Sequence, residues 1–425
     1  MTVGMTDMNM LGAGFCRIDG AAVFVPGAVD GDICEITPDG NGKNFRTAKL
    51  ERIVTPSEHR CESGCDAFGI CGGCTLRHIT YGHELEIKRR GVMQAFRKNG
   101  MTVDIPDVVG TAETEYRNKA IFHNRGGKLA YFAGQSHDAV YPSSGRCAII
   151  PAIFDEIRKS VEGLLSDAHL ELSLYLRIGD GGEVCCTFCD AAAEVKASAV
   201  KALAEAVMER FPSVVSVYLA SGEVGAPKCR YTLISGKAEI GITVGSIRFG
   251  VTPASFFQVN IAGANELVRR VVAFAGLGRG ERCADLYCGA GMFALNLAMS
   301  CEKAKIIGIE INEAAVDSAK RNAAMHGIDN ARFYAGDAVA FADRLEGISC
   351  AVVDPPRAGL SKKLIGQLMG FAPERIVYVS CNPETLARDV RVLREMYEIG
   401  GIVCVDMFPR TGHCESVIQL SKVHN

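Results

Sequence analysis

The sequence predicts an α/β protein in which residues 246–425 form a Rossmann-like, doubly wound domain, preceded by a small β-barrel over 1–56 and a mixed α+β domain over 57–245. Three observations predict it. From about Val251 onward, β-type runs alternate with helical stretches, the signature of a parallel sheet covered on both faces. Up to about Pro56, short runs such as Ala21-Ala22-Val23-Phe24-Val25 and Ile33-Cys34-Glu35-Ile36 are separated by turns such as Asp39-Gly40-Asn41-Gly42. Between these halves no single period holds.

In chain order, the barrel is followed by a cysteine-rich loop over 61–74, a basic helical stretch over 84–99 and a helix around 192–210, whose alanines and valines recur at helical spacing. The C-terminal strands are expected at 282–288, 305–311, 331–336, 349–354, 375–381 and 402–408, with a last one near 415–420. In such a sheet the ligand sits outside the carboxyl ends of the strands, so the residues there are the ones to interrogate.

A chain of 425 residues, 48% hydrophobic and 22% charged, has the composition of a globular protein of two or three domains. Its first ten residues lack a basic stretch followed by an apolar one, so a cytoplasmic location is expected. The most apolar long stretch, 283–301, contains Asp285, Gly289 and Gly291 and reads as a strand–turn–helix core segment rather than a membrane span. No membrane partner and no obligate protein partner are expected. Eighteen cysteines without a secretion signal point to reduced thiols, a metal or cluster site, or catalysis. The net charge of −3 gives no global attraction to nucleic acid, so that role has to rest on local patches. Two exist: Arg77, Lys88, Arg89, Arg90, Arg97 and Lys98, then Arg117, Lys119, Arg125 and Lys128. On charge alone, a solvated helix face fits the first equally well.

At the cofactor end, Asp285-Leu286-Tyr287-Cys288-Gly289-Ala290-Gly291 places glycines where the first strand turns into a helix, letting backbone approach a ligand closely. Glu310 ends the second strand, where a carboxylate can accept hydrogen bonds from both ribose hydroxyls of a nucleoside. Alone, these two features fit NAD and S-adenosylmethionine equally. Asp354-Pro355-Pro356-Arg357 ends the fourth strand, with prolines fixing the backbone and Asp354 within reach of the cofactor side.

At the chemical end, the fifth strand delivers Ser380-Cys381-Asn382-Pro383 to the same rim, and Glu415 opens the last strand beside it. Taken singly, Cys381 reads as a small core residue and Glu415 as a solvated carboxylate. Together they suit methylation at C5 of uracil: a thiolate adding at C6 makes C5 nucleophilic, and a base then removes the C5 proton.

With Ser255-Phe256-Phe257-Gln258-Val259-Asn260 and the segment from Asp406-Met407-Phe408-Pro409 to Glu415, these motifs resemble, in order, the RNA uracil-C5 methyltransferases, a family of class I S-adenosylmethionine-dependent enzymes acting on ribosomal or transfer RNA. The resemblance covers nearly the whole chain. It implies that Gln258, Tyr287, Glu310 and Asp354 contact S-adenosylmethionine, that Cys381 is the nucleophile and that Glu415 accepts the proton. Met292 stands where relatives often carry asparagine, Asp337 is a candidate for holding the adenine amine, and His413 reads as a second base or, in preference, as a residue that orients the site.

Cys65-Asp66-Ala67-Phe68-Gly69-Ile70-Cys71-Gly72-Gly73-Cys74 resembles the family's [4Fe–4S] loop, with Cys147 as the fourth ligand by the same resemblance. A zinc ion on Cys61, Cys65, Cys71 and Cys74 is the rival reading. Cys186 and Cys189 lie in an apolar run and read as core. The N-terminal segment resembles the TRAM/OB-like RNA-binding barrel that ribosomal-RNA members carry, which leans the substrate toward 23S rRNA, with transfer RNA as the alternative. Two rival functions are an amino-group methyltransferase, whose motif needs an aromatic residue after the prolines that is missing here, and a non-catalytic RNA-binding or assembly protein retaining the fold.

Overall fold

The computed structural model describes residues 1–41, 46–134, 136–226, 228–341 and 345–424. The N-terminal strands β1 (Thr2–Gly4), β2 (Asp7–Met8), β3 (Ala13–Ile18), β4 (Ala21–Pro26), β5 (Ile33–Asn41) and β6 (Arg46–Thr55) form one sheet in the order β1-β5-β6-β4-β3-β2. β1 and β2 therefore lie at opposite edges, roughly 24 Å apart in a flat six-stranded sheet, yet only Met5 and Thr6 join them. Three Cα steps reach about 11 Å at most. The sheet has to curl until its edges meet, enclosing Met5, Cys16, Val23, Val25, Cys34 and Ile36.

The central sheet runs β13-β12-β11-β10-β7-β8-β9, from β7 (Lys119–Arg125), β8 (Lys128–Phe132), β9 (Ala139–Val140), β10 (Ser173–Ile178), β11 (Val184–Asp190), β12 (Val214–Ser221) and β13 (Arg230–Gly236). Helices Ala152–Asp167 and Ala197–Arg210 bury Phe154, Ile157, Val161, Val200, Leu203 and Val207 in the same apolar cluster as β10–β12 residues. Cys186 is fully buried and Cys189 nearly so, as the apolar run predicts.

A hairpin, β14 (Ile240–Val244) and β15 (Ile247–Val251), leads into the C-terminal domain. Its sheet orders β18 (Ala331–Ala335), β17 (Lys305–Glu310), β16 (Arg282–Leu286), β19 (Cys350–Val353), β20 (Arg375–Ser380), β22 (Glu415–Lys422) and β21 (Tyr397–Val405). The first five are parallel; β22 inserts antiparallel between β20 and β21. The expected strands agree to within about two residues except β21, which begins five residues before its expected start at 402. Among the described residues no helix is long and apolar enough to cross a membrane.

Helix Tyr81–Lys98 precedes the central sheet in sequence but buries Val92, Ala95 and Phe96 in the C-terminal domain's apolar cluster, beside Leu386, Val390 and Tyr378. It also buries Lys88 completely. The reading of Arg77 to Lys98 as one exposed basic patch is thus corrected. Lys88 donates to Glu84 at 2.6 Å and Asp406 at 2.8 Å, Arg89 pairs with Glu86, Arg90 with Asp7 and Asp30, and Lys98 with Glu384.

Candidate active site

The glycine turn after β16 and the acid ending β17 meet directly. Glu310 accepts from the backbone N–H of Gly289 at 3.1 Å and of Asn312 at 2.9 Å, one on each carboxylate oxygen. Its remaining lone pairs stay available to a ligand. Tyr287 takes a left-handed φ of 71°, a conformation costing an L-residue about 1–2 kcal/mol, and its N–H donates to Ile309. Gly291, at φ 89°, starts helix Met292–Ser300 without a side-chain cap. Asp285 supplies the missing acceptor from inside the sheet, taking the N–H of Ala294 at 2.9 Å. Its other oxygen is buried without a hydrogen-bond partner among the described residues.

On the chemical side, β20 and β22 pair as far as Ser380 with Ser416, and one step further the same register sets Cys381 beside Glu415. Side chains at directly opposed positions share a face of the sheet. Cys381 is fixed on a turn: Ser380 Oγ accepts the N–H of Asn382, and Asn382 caps helix Pro383–Leu393 while its Nδ2 donates to the Arg357 carbonyl at 3.0 Å. The Asp354 loop and the cysteine turn are thereby bolted together.

Cys381 is half-buried, Glu415 is 7% exposed and Asp354 is partly buried. Burial, then Glu415 and Asp354, push the Cys381 thiol up, with Arg357 opposing. Burial, then Asp354, pushes the Glu415 carboxyl up to about 8, again against Arg357. Burial raises Asp354 to about 7. These side chains therefore act on one another in one weakly solvated place. A cleft of about 430 Å³ opens onto it, lined by Arg357, Cys381, Asn382, Gly412, His413, helix residues Arg90, Gln94 and Lys98, and Asn9, Met10 and Leu11 of the N-terminal sheet.

Gln258 is partly buried at the end of a segment whose backbone is held by the central domain: Asn118 Nδ2 donates to its carbonyl at 3.0 Å. No described hydrogen bond joins its side chain to Tyr287, Glu310 or Asp354.

Cys65, Cys71, Cys74 and Cys147 rim one cavity of about 490 Å³, to which Arg77, Arg117 and Lys119 also contribute. Cys61 is not among its lining residues; it is exposed and turns toward the Arg77 carbonyl. Among the described residues no three His, Cys, Asp or Glu side chains gather closely enough to hold a single ion. Burial raises the Cys71 and Cys147 thiols and lifts Cys74 to about 12. Thiolates at these three buried positions would need a cationic centre beside them.

The sequence model of the tRNA (uracil-5-)-methyltransferase family matches residues 239–423. A Bacillus cereus protein named as an uncharacterized RNA methyltransferase is 33% identical over 98% of this chain and 95% of its own. The chain belongs to the RNA uracil-C5 methyltransferase family. A Clostridium tetani protein with the same description is 32% identical over 98% of this chain and 95% of its own. The crystal structure of Pyrococcus abyssi tRNA (uracil-54, C5)-methyltransferase in complex with S-adenosyl-L-homocysteine superposes with a TM-score of 0.78, 26% identity, 99% of this chain and 100% of that one.

For this uracil-C5 methyltransferase family member, reading motifs alone passed over three side chains. Arg357 was visible after the two prolines, yet its closeness to Cys381, Glu415 and His413 is a matter of tertiary placement. Asp285 carried a signal, a carboxylate inside an apolar strand. Lys88 carried only the opposite one, a basic neighbourhood.

Proposed function

We propose that this protein transfers a methyl group from S-adenosylmethionine to C5 of a uridine in RNA, with Cys381 as covalent nucleophile and Glu415 as proton acceptor. The β20–β22 register, which sets that thiol beside that carboxylate, carries the reading. Glu310, Tyr287, Asp354 and Gln258 are assigned to the cofactor, which supplies an electrophilic sulfonium methyl when bound. Glu310, with both oxygens already anchored, suits the ribose hydroxyls.

In the reaction, the Cys381 thiol loses its proton through the open cleft and the thiolate adds to C6, moving the ring electrons to C5. C5 then takes the sulfonium methyl as its bond to sulfur breaks, leaving S-adenosylhomocysteine. Glu415 removes the C5 proton, the 5,6 double bond re-forms and the Cys381 thiolate leaves. Arg357 lowers the cost of the negative charge shared by Cys381, Glu415 and Asp354. The uridine enters flipped from its stack, because C6 is beyond reach of a thiol while the base is stacked.

The same reading gives residues 1–56 an RNA-binding, TRAM/OB-like role, treats 57–245 and 246–425 as central and catalytic domains, and places the protein in the cytoplasm. It assigns a structural [4Fe–4S] cluster to Cys65, Cys71, Cys74 and Cys147; when bound, the cluster supplies a cross-link between the 61–74 loop and the central domain. The proposed substrate is 23S rRNA, on the strength of the barrel and the cysteine loop. Transfer RNA is the second reading, favoured by the full-length match to the Pyrococcus abyssi enzyme.

The test is covalent trapping. RNA carrying 5-fluorouridine, which has no C5 proton to lose, should give a denaturation-resistant complex with the wild-type protein. Glu415→Gln should give one with ordinary uridine RNA, and Cys381→Ala with neither. Offering 23S rRNA and transfer RNA transcripts separately distinguishes the substrates. Absence of any complex from folded protein would overturn the reading.

A further inference from the structure

The N-terminal sheet does more than extend the RNA-binding surface: one of its turns forms a wall of the catalytic cleft. Asn9, Met10 and Leu11 line the same cleft as Cys381 and Asn382. The turn is held from three sides. The Asn9 side chain accepts the N–H of Leu11 at 3.0 Å and of Ala13 at 3.1 Å. Gly12 packs so closely that a Cβ there would stand 2.7 Å from the Thr75 carbonyl oxygen. Met10 is wedged between two other glycines: a Cβ on Gly91 would fall 2.1 Å from its sulfur, and one on Gly412 would fall 1.9 Å from its carbonyl oxygen. Helix Tyr81–Lys98 and the loop leading to Glu415 therefore both close onto this turn.

Leu11, at the tip, is 77% exposed. What sets it apart from other exposed apolar side chains is its place: it lines the cleft that holds Cys381, on a turn fixed from three sides. A base drawn out of a stack leaves an apolar gap, and proteins that open base steps commonly insert a leucine, isoleucine, methionine or phenylalanine there. We propose that Leu11 is this wedge: it enters the RNA beside the flipped uridine and keeps the stack open while Cys381 engages C6. The assignment rests on the uridine-flipping reading above and adds to it a residue outside the C-terminal domain.

The test compares methyl transfer by the full-length protein to one uridine presented two ways: in its folded transcript, and in a short unstructured oligoribonucleotide of the same local sequence. Leu11→Ala should lower kcat/KM on the folded transcript at least about tenfold more than on the oligonucleotide, because only the former has a stack to hold open. Leu11→Met should restore most of the difference. A fluorescent adenine analogue placed next to the uridine should brighten on binding wild type and brighten less with Leu11→Ala. An equal loss on both RNAs, or no loss on either, would overturn the wedge. Failure of the parent reading looks different: wild type would then form no adduct with 5-fluorouridine in either RNA.

Discussion

Cys381 and Glu415 stand one step beyond Ser380 and Ser416, the last paired residues of adjacent antiparallel strands. The ladder that builds the sheet therefore also sets their spacing, so no flexible loop has to bring thiol and carboxylate together. A site built on strand ends is held more tightly than one built on loops.

Removing either group should affect different steps. Cys381→Ala should abolish methyl transfer, while Glu415→Gln should still methylate once and then stall, lowering turnover by about 10²–10⁴-fold. Single-turnover and steady-state assays on the same RNA separate the two. Equal single-turnover rates for Cys381→Ala and wild type would contradict the account.

The pH dependence follows from the same burial. The Glu415 carboxyl is raised to about 8 and the Cys381 thiol is raised as well, so both active forms are gained as pH rises. Steady-state kcat, which includes the proton removal by Glu415, should climb from pH 6 to pH 9. In Glu415→Gln, adduct formation should keep only the thiol's part of that rise. A flat profile for wild type would count against both assignments.

Stability should run the other way. Because folding raises the Glu415 carboxyl from 4.5 to about 8, the folded state holds that proton more tightly. The resulting stability is fully present below about pH 4.5 and is lost as pH rises through 8. Glu415→Gln, which cannot ionise, should therefore melt above wild type at pH 8–9, by up to a few kcal/mol, and match it near pH 4. Thermal melts at the two pH values check this; a variant less stable than wild type at pH 9 would contradict it.

Lys88 should matter for stability rather than for RNA contact. It is fully buried between Glu84 and Asp406, and Tyr81 donates to the same Asp406 at 3.0 Å. Lys88→Met would remove the cation that Glu84 and Asp406 share, leaving Asp406 only neutral donors and Glu84 only Arg410 at 3.6 Å, a loss of about 3–5 kcal/mol. Urea melts should show it, and neutralising Glu84 as well, as Glu84→Gln, should recover part of the loss. Weaker RNA binding with unchanged stability would contradict the assignment.

These residues also show how far the sequence could be read. The parallel strands were legible because apolar runs ended in chemically unusual residues, Glu310, Asp354 and Cys381, and Glu415 was already placed beside the fifth strand. The role of Lys88 was not, because its second carboxylate lies 318 residues away and charge spacing along one helix cannot register that. The docking of Val92, Ala95 and Phe96 onto the C-terminal cluster was half-written: their spacing marks an apolar face, but not which domain receives it. Leu11 gave no signal at all, since exposure on a rigid turn exists only in three dimensions.

The most direct test of the central claim is peptide mapping of the complex formed by Glu415→Gln with S-adenosylmethionine and substrate RNA. The expected species is a 5-methylated uridine joined through C6 to the sulfur of Cys381. A linkage to another cysteine, or no linkage in a protein that folds and binds the cofactor, would contradict it.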